Sequence, residues 1–132
     1  MTTLLSVQDL AVLSGAKSIL HPLSFTISPG ETVAVTGESG SGKSTLAHAL
    51  VGLLPDGFKT SGQIIFEGQD LAALSERTFR DLRGRRIAMV FQEPMTALNP
   101  IRRIGQQIGD TLRLHNASSS RDISAHVQAL LY

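Results

Sequence analysis

Gly37-Glu38-Ser39-Gly40-Ser41-Gly42-Lys43-Ser44-Thr45 carries the spacing G-x-x-x-x-G-K-[ST]. Ahead of it, Glu31-Thr32-Val33-Ala34-Val35-Thr36 is a β-branched run behind the turn residues Pro29-Gly30, which reads as a short buried strand. After it, Leu46, Leu50 and Leu53-Leu54 recur at helical spacing with alanines between them. The nine residues therefore stand in the strand–loop–helix setting that a phosphate-binding loop requires. A flexible Gly/Ser linker would leave a single lysine beside Gly42, between two apolar elements, without a reason.

The residue types follow from the chemistry of a polyphosphate. Its oxygens have to be met by several backbone N–H groups converging on one cup. Gly37, Gly40 and Gly42 permit the positive-φ conformations that aim those groups inward, with no Cβ in the way. The helix that starts next offers its unpaired N-terminal donors and the positive end of its dipole. Lys43 is placed to reach the β- and γ-phosphates as a compact charge. The Ser44 hydroxyl suits a Mg²⁺ ligand, and Thr45 adds a second hydroxyl near the phosphates.

Composition narrows the class. The 132 residues hold one ordinary domain at most, with net charge +1, 42% hydrophobic and 17% charged residues. A charge so near zero gives little long-range steering toward nucleic acid. With no cysteine, neither a disulfide framework nor a thiolate metal site can form. Leu46 to Leu54, the most apolar stretch, is interrupted by His48 and is far shorter than the roughly 20 residues a bilayer span needs. The first residues, Met1-Thr2-Thr3-Leu4-Leu5-Ser6, lack a basic n-region and an apolar core, so no signal peptide is expected.

Along the chain, Leu4 to Leu13 alternates in part and suggests a half-buried antiparallel strand; Ser14-Gly15 turns it. Leu23, Phe25 and Ile27 alternate strictly with Ser24 and Thr26 and give a second strand. Pro55-Asp56-Gly57 is expected to stop the loop helix, and Gln63-Ile64-Ile65-Phe66 to form a short strand before a turn at Glu67 to Asp70. Ser75 looks like an N-cap for a short exposed helix ending near Gly84, with Glu76–Arg80 and Arg77–Asp81 as i,i+4 pairs. Ile87-Ala88-Met89-Val90-Phe91 reads as a second buried strand, most simply a parallel neighbour of the loop strand. Asn99-Pro100 reads as a cap and first position of a helix whose face is Ile101, Ile104, Ile108 and Leu112. Ser119-x-x-Asp122 resembles a capping box opening a last helix with Ile123, Val127 and Leu130.

A resemblance then sharpens the reading. Val90-Phe91-Gln92-Glu93-Pro94-Met95-Thr96-Ala97-Leu98-Asn99-Pro100 resembles the Q-loop of ATP-binding cassette (ABC) transporter ATPases, in detail the oligopeptide, dipeptide and nickel importer group. Gly37 to Thr45 and Leu23-Ser24-Phe25-Thr26-Ile27 with Pro29-Gly30-Glu31 match the same group, and the likeness runs from about Leu4 to Asn116. It implies a P-loop NTPase of α/β class: an antiparallel β subdomain, an incomplete parallel core and the start of a helical subdomain. It also implies ATP and Mg²⁺ as ligands, with Gly37, Glu38, Ser39, Gly40, Ser41, Gly42, Lys43, Ser44 and Thr45 as the Walker A loop. Gln92 corresponds to the Q-loop glutamine near Mg²⁺ and the attacking water, so Ser44 and Gln92 are the expected metal contacts. The partners implied are a second ABC ATPase domain and transmembrane permease subunits touched through the Q-loop. The location implied is the cytoplasmic side of a bacterial inner membrane, as a peripheral subunit.

The chain also departs from the family pattern. Leu13-Ser14 stands where an adenine-stacking aromatic is usual, and the family's signature sequence, Walker B strand with catalytic Glu, and switch histidine do not occur before Tyr132. Residues 1–132 thus look like a partial nucleotide-binding domain, expected to be marginally stable as a separate piece. Glu93 belongs to the Q-loop pattern and is no substitute base, and His21, His48, His115 and His126 lie outside the switch position. In-line attack on a γ-phosphoryl group needs a water-orienting residue as well as a phosphate clamp, and only the clamp is legible. Two readings result: an energy-coupling ATPase subunit of a peptide or nickel importer, or a truncated nucleotide-binding remnant without turnover. A nucleic-acid partner is not expected, because Arg77, Arg80, Arg83, Arg85 and Arg86 are interleaved with Glu76 and Asp81 as on a solvated helix face. Gly105-x-x-x-Gly109 is flanked by Arg102, Arg103 and Asp110 and fits close helix packing, not a membrane span.

Overall fold

The alternating N-terminal runs pair with each other before anything else does. In the computed structural model, which describes residues 3–93, 97–115 and 120–131, β1 (Leu5–Ser14) and β2 (Lys17–Ile27) form an antiparallel hairpin from Leu5 opposite Ile27 to Ser14 opposite Lys17. β3 (Phe58–Phe66) lies antiparallel on the other side of β1, and β4 (Gln69–Asp70) follows it. The two-residue connection Glu67-Gly68 has φ of 49° and 79°, the double positive-φ geometry whose twist suits a tight hairpin. Sheet order is β2-β1-β3-β4.

β1 is central, and its burial pattern changes parity half way. Val7, Leu10 and Val12 are its most buried side chains, an odd position followed by two even ones. A strand with strict alternation cannot place all three on one face. The chain solves this with a bulge at Asp9, whose φ is 47°, where the register shifts against both neighbours. Gly62 lies across from the bulge, and a Cβ there would come within 2.3 Å of the Asp9 carbonyl oxygen.

Two units divide the chain, Met1–Arg83 and Gly84–Tyr132. In the first, α1 (Lys43–Leu50) buries Leu46 and Ala49 and packs on β1 and β2. A 3-10 turn, Leu71–Ala73, is capped by Asp70, whose Oδ1 accepts from Ala72 N at 3.0 Å. Ser75 caps α2 (Glu76–Leu82) as expected, its Oγ accepting from Thr78 N at 3.2 Å, and Phe79 faces inward. In the second unit α3 (Ile104–His115) and α4 (Ser120–Leu131) pack together. A Cβ on Gly109 would meet Ile123 at 3.6 Å and Val127 at 3.8 Å, so the two glycines lie on the face of α3 toward α4, as close packing required.

Several local expectations change. The antiparallel β portion is present, but Glu31–Thr36 and Ile87–Phe91 enter no sheet ladder among the described residues. A parallel strand exists only through hydrogen bonds to neighbours on its edges, and neither segment has them in this sheet. Both are correspondingly exposed: Val33 by 41%, Val35 by 52% and Val90 by 90%. β3 begins at Phe58, five residues before the expected start at Gln63, because ladder bonds to β1 extend it through Gly62. Glu76 pairs with Arg83 at 2.7 Å instead of Arg80. α3 starts at Ile104, since Asn99 makes a local turn by accepting from Ile101 N at 3.0 Å, and Ile101 is 92% exposed. Ser119 of the suggested capping box lies outside the described residues.

Candidate functional site

The nine-residue loop sits where β1 and β2 receive α1. Gly42 is the N-cap of the helix, with φ 94° in the left-handed region, and Gly40 has φ 80°. Gly42 is also buried: a Cβ would stand 2.9 Å from the Ile19 carbonyl oxygen of β2 and 3.2 Å from Leu20 Cδ1. Gly37 differs from expectation, since its φ is not positive. Its lack of a side chain is steric, as a Cβ would come 2.6 Å from Ser41 Oγ. Three glycines thus serve two purposes, two for backbone direction and one for clearance.

The first bond of α1 runs from Leu46 N to Gly42 O at 2.8 Å. The amides of Lys43, Ser44 and Thr45 before it have no acceptor within the helix, no side chain caps the end, and no acid occupies the first turn. Nothing in the first turn therefore offsets the positive dipole end. Lys43 reinforces it. Its Nζ donates to Gly37 O at 2.9 Å, Glu38 O at 2.6 Å and Ser41 Oγ at 3.3 Å. Ser41 N bonds Glu38 O at 3.2 Å, closing the loop into a turn. Glu38, Ser39, Gly40, Ser41 and Ser44 are exposed, so donors and hydroxyls at the mouth are open to a ligand. Downstream, His48 Nδ1 lies 2.6 Å from Ser44 O, one turn back along α1.

The residues present fit a nucleotide's phosphates: a tight glycine turn with two positive-φ positions, a bare helix N-terminus and one ammonium at the mouth. Mg²⁺ fits on different grounds. Among the described residues no cluster of three His, Asp or Glu could hold a metal. Mg²⁺ ordinarily keeps several waters and arrives on phosphate with one or two protein ligands, for which the exposed Ser44 hydroxyl at the helix start is suited.

The structure brings Gly37 to Thr45 together and places Gln92 in the second unit, exposed at a bend after Phe91. Pro94, Met95 and Thr96 of the Q-loop stretch lie outside the described residues. Leu13, where an adenine-stacking aromatic is usual, is 40% exposed at the end of β1. Two residues of interest had escaped the sequence reading. The helix ends at Leu50 and is closed by Gly52, not by Pro55-Asp56-Gly57: Gly52 has φ 63°, with Gly52 N bonding Ala49 O at 3.1 Å and Leu53 N bonding His48 O at 2.9 Å. That is a Schellman closure, and a glycine two positions past the last helical leucine was its available signal. The other is Arg83, whose guanidinium donates to Val51 O and Gly52 O; nothing local in the sequence pointed from residue 83 to residue 51.

Comparison with known proteins gives a consistent result. A family model described as ABC transporter matches residues 20–131. The chain is 46% identical over 134 residues to the peptidoglycan transport ATP-binding protein YejF of Agrobacterium fabrum, covering 97% of this chain and 24% of that protein. It is 40% identical over 137 residues to both the oligopeptide transport ATP-binding protein OppD and the dipeptide transport ATP-binding protein DppD of Bacillus subtilis. Those matches cover 99% of this chain and 38% and 41% of the two relatives. The chain thus spans about a quarter to two fifths of the length of these curated relatives. Among solved structures, a bacterial Atm1-family ABC exporter with ATP bound aligns at a TM-score of 0.52 and 32% identity, over 61% of this chain and 14% of that one.

Proposed function

The chain belongs to the ABC transporter family, and we propose that its loop Gly37–Thr45 binds the phosphates of Mg-ATP for a peptide importer. In the proposed arrangement the amides of Lys43, Ser44 and Thr45 and the Lys43 ammonium hold the β- and γ-phosphates. Ser44 contributes its hydroxyl to Mg²⁺, and Gln92 in the second unit answers the state of the γ-phosphate. Mg²⁺, when bound, supplies charge neutralisation on the phosphate oxygens. The energy of binding and hydrolysis would be passed to membrane permease subunits, with a second ATPase domain as partner, at the inner face of a bacterial membrane. Peptides are the cargo class because the relatives named for oligopeptide and dipeptide transport share about two fifths of the aligned residues with this chain.

The observation that carries the proposal is the conjunction at one point of a bare helix N-terminus, two positive-φ glycines and Lys43 directed into the loop mouth. No helix among the described residues is long and apolar enough to cross a membrane, so on this reading attachment runs through partner subunits.

Titration of the chain with a fluorescent ATP analogue and Mg²⁺ tests it. Binding that is competed by ATP and falls at least about tenfold in Lys43→Ala is expected, given the share of a phosphate site that its one cation carries. Equal affinity in both proteins would remove the proposal.

A further inference from the structure

At the end of α1 remote from the phosphate loop, the Arg83 side chain hydrogen-bonds the main chain. The Schellman closure satisfies the carbonyls of His48 and Ala49, and the carbonyls of Val51 and Gly52 lie just beyond it. Arg83 takes both: Nε donates to Val51 O at 2.8 Å and Nη2 to Gly52 O at 2.7 Å. Its third nitrogen, Nη1, donates to Glu76 Oε1 at 2.7 Å, and its guanidinium carbon stands 4.5 Å from the Phe79 ring centroid. The Arg83 side chain is only 19% exposed, against 73% for Glu76. Gly52 completes the fit, since a Cβ there would lie 1.9 Å from Phe79 Cε1.

The chemistry is specific to arginine. A planar fork delivers two N–H groups to successive carbonyls, and the cation stands at the negative end of the helix dipole. A lysine ammonium in the same place would keep the charge and lose the paired geometry. Packing does not make the clasp redundant. The same flank of α1 borders an open cavity of about 210 Å³ lined by Ala49, Gly52, Leu54, Phe58, Ile64 and Phe79, so side chains do not fill all the space beside that end of the helix.

α1 has eight residues and is therefore about 12 Å long, short enough to behave as a rigid rod. At its opposite end Gly42 abuts Ile19 and Leu20. A tilt of about 10° displaces one end by about 2 Å relative to the other over such a length, and it re-aims the amides of Lys43, Ser44 and Thr45 together.

We propose that Arg83 is a positioning residue for the phosphate loop: by clasping the Val51 and Gly52 carbonyls it sets the axis of α1, and hence the affinity for nucleotide. The inference rests on the reading of Gly37–Thr45 as the phosphate site. The test compares Arg83→Met, Arg83→Lys, Arg77→Gln and Lys43→Ala in the same chain, by Mg-dependent titration with the fluorescent ATP analogue and by thermal unfolding. Measured well below each variant's own midpoint, Arg83→Met is expected to weaken binding about tenfold, in keeping with the steep cost of misplacing contact groups by an ångström. Arg83→Lys is expected to recover part of that loss, and Arg77→Gln, at an exposed arginine in the adjoining helix α2, to stay within about twofold of the parent. An Arg83→Met protein with a lowered midpoint but undiminished affinity would show a purely stabilising clasp and overturn the inference. If Arg83→Met does not fold, Arg83→Lys decides, and undiminished affinity there overturns it equally. Should Lys43→Ala bind as well as the parent, the phosphate-site reading fails, and this inference with it; weakening by Lys43→Ala alone removes only the role of Arg83.

Discussion

Ser24 and Asp9 hold each other across the β1–β2 hairpin by two bonds. The Ser24 hydroxyl accepts from Asp9 N at 2.8 Å and donates to Asp9 Oδ1 at 3.1 Å. Asp9 is the bulge residue, so this pair pins the one irregularity that turns Leu10 and Val12 onto the same face as Val7. Ser24→Ala removes both bonds without touching the core. The expected cost is about 1 kcal/mol, the usual net value of an exposed hydrogen-bonded pair, read from the urea midpoint at unchanged slope.

Gly62 and Gly57 have the same φ, 85°, in different surroundings. Gly57 has open space around a notional Cβ, whereas at Gly62 the Asp9 and Gln8 carbonyl oxygens stand 2.3 and 2.4 Å away. Gly57→Ala should therefore show only the left-handed backbone penalty, about 1–2 kcal/mol. Gly62→Ala should exceed it clearly, because backbone atoms of β1 must yield as well. Equal losses in thermal unfolding would place the cost in φ alone and contradict the close approach.

Gly109 offers the opposite case. Its helix is regular, and a methyl group would meet Ile123 and Val127 at ordinary contact distance. Gly109→Ala is expected to stabilise the α3–α4 pair by about 0.5–1 kcal/mol, the difference in helix propensity. A rise in helical circular dichroism and in the midpoint checks this. A fall would mean that α4 sits closer than described.

Acid should weaken both units. A hydrogen bond from Arg83 holds the Glu76 carboxyl below its ordinary range, and one from Arg102, seconded by Arg113, does the same for Asp110. With a folded-state value below the unfolded one, the unfolded chain binds more protons between the two. That stability is fully present above the ordinary carboxylate range and is lost as pH falls through the lowered values. Both carboxylates are exposed, so the effect is modest and screened by salt. Unfolding midpoints measured from pH 7 downward should fall toward pH 3, and Glu76→Gln should flatten part of that slope.

The sequence was most informative where chemistry and local geometry coincide. G-x-x-x-x-G-K-S dictates a turn, a helix start and a charge at once, and the structure forms all three between Gly37 and Thr45. Alternation in Leu23, Phe25 and Ile27 sufficed for β2, and Ser75 for the start of α2. The failures share a cause. Val33 and Val35 in one unit, like Val90 and Phe91 in the other, have the composition of buried strands, yet strand identity depends on a partner that composition does not contain. β3 reached back to Phe58 because β1 offered it a ladder, a fact about residues fifty positions away. Arg83 likewise looked like one basic residue in a charged stretch until the Val51 and Gly52 carbonyls gave it a destination.

The Lys43 ammonium has a consequence for how tightly anything can bind. It already satisfies two main-chain carbonyls and a serine hydroxyl, so an incoming phosphate has to compete with the loop's own acceptors for those protons. On the proposed phosphate reading, the bonds given up at that nitrogen reduce its net gain without removing the attraction of the ammonium for a phosphate, and the neighbouring amides have no such rival. The lysine thereby works as an internal placeholder: its charge ties the glycine turn together, and on that reading an arriving phosphate takes the place of the loop's own acceptors.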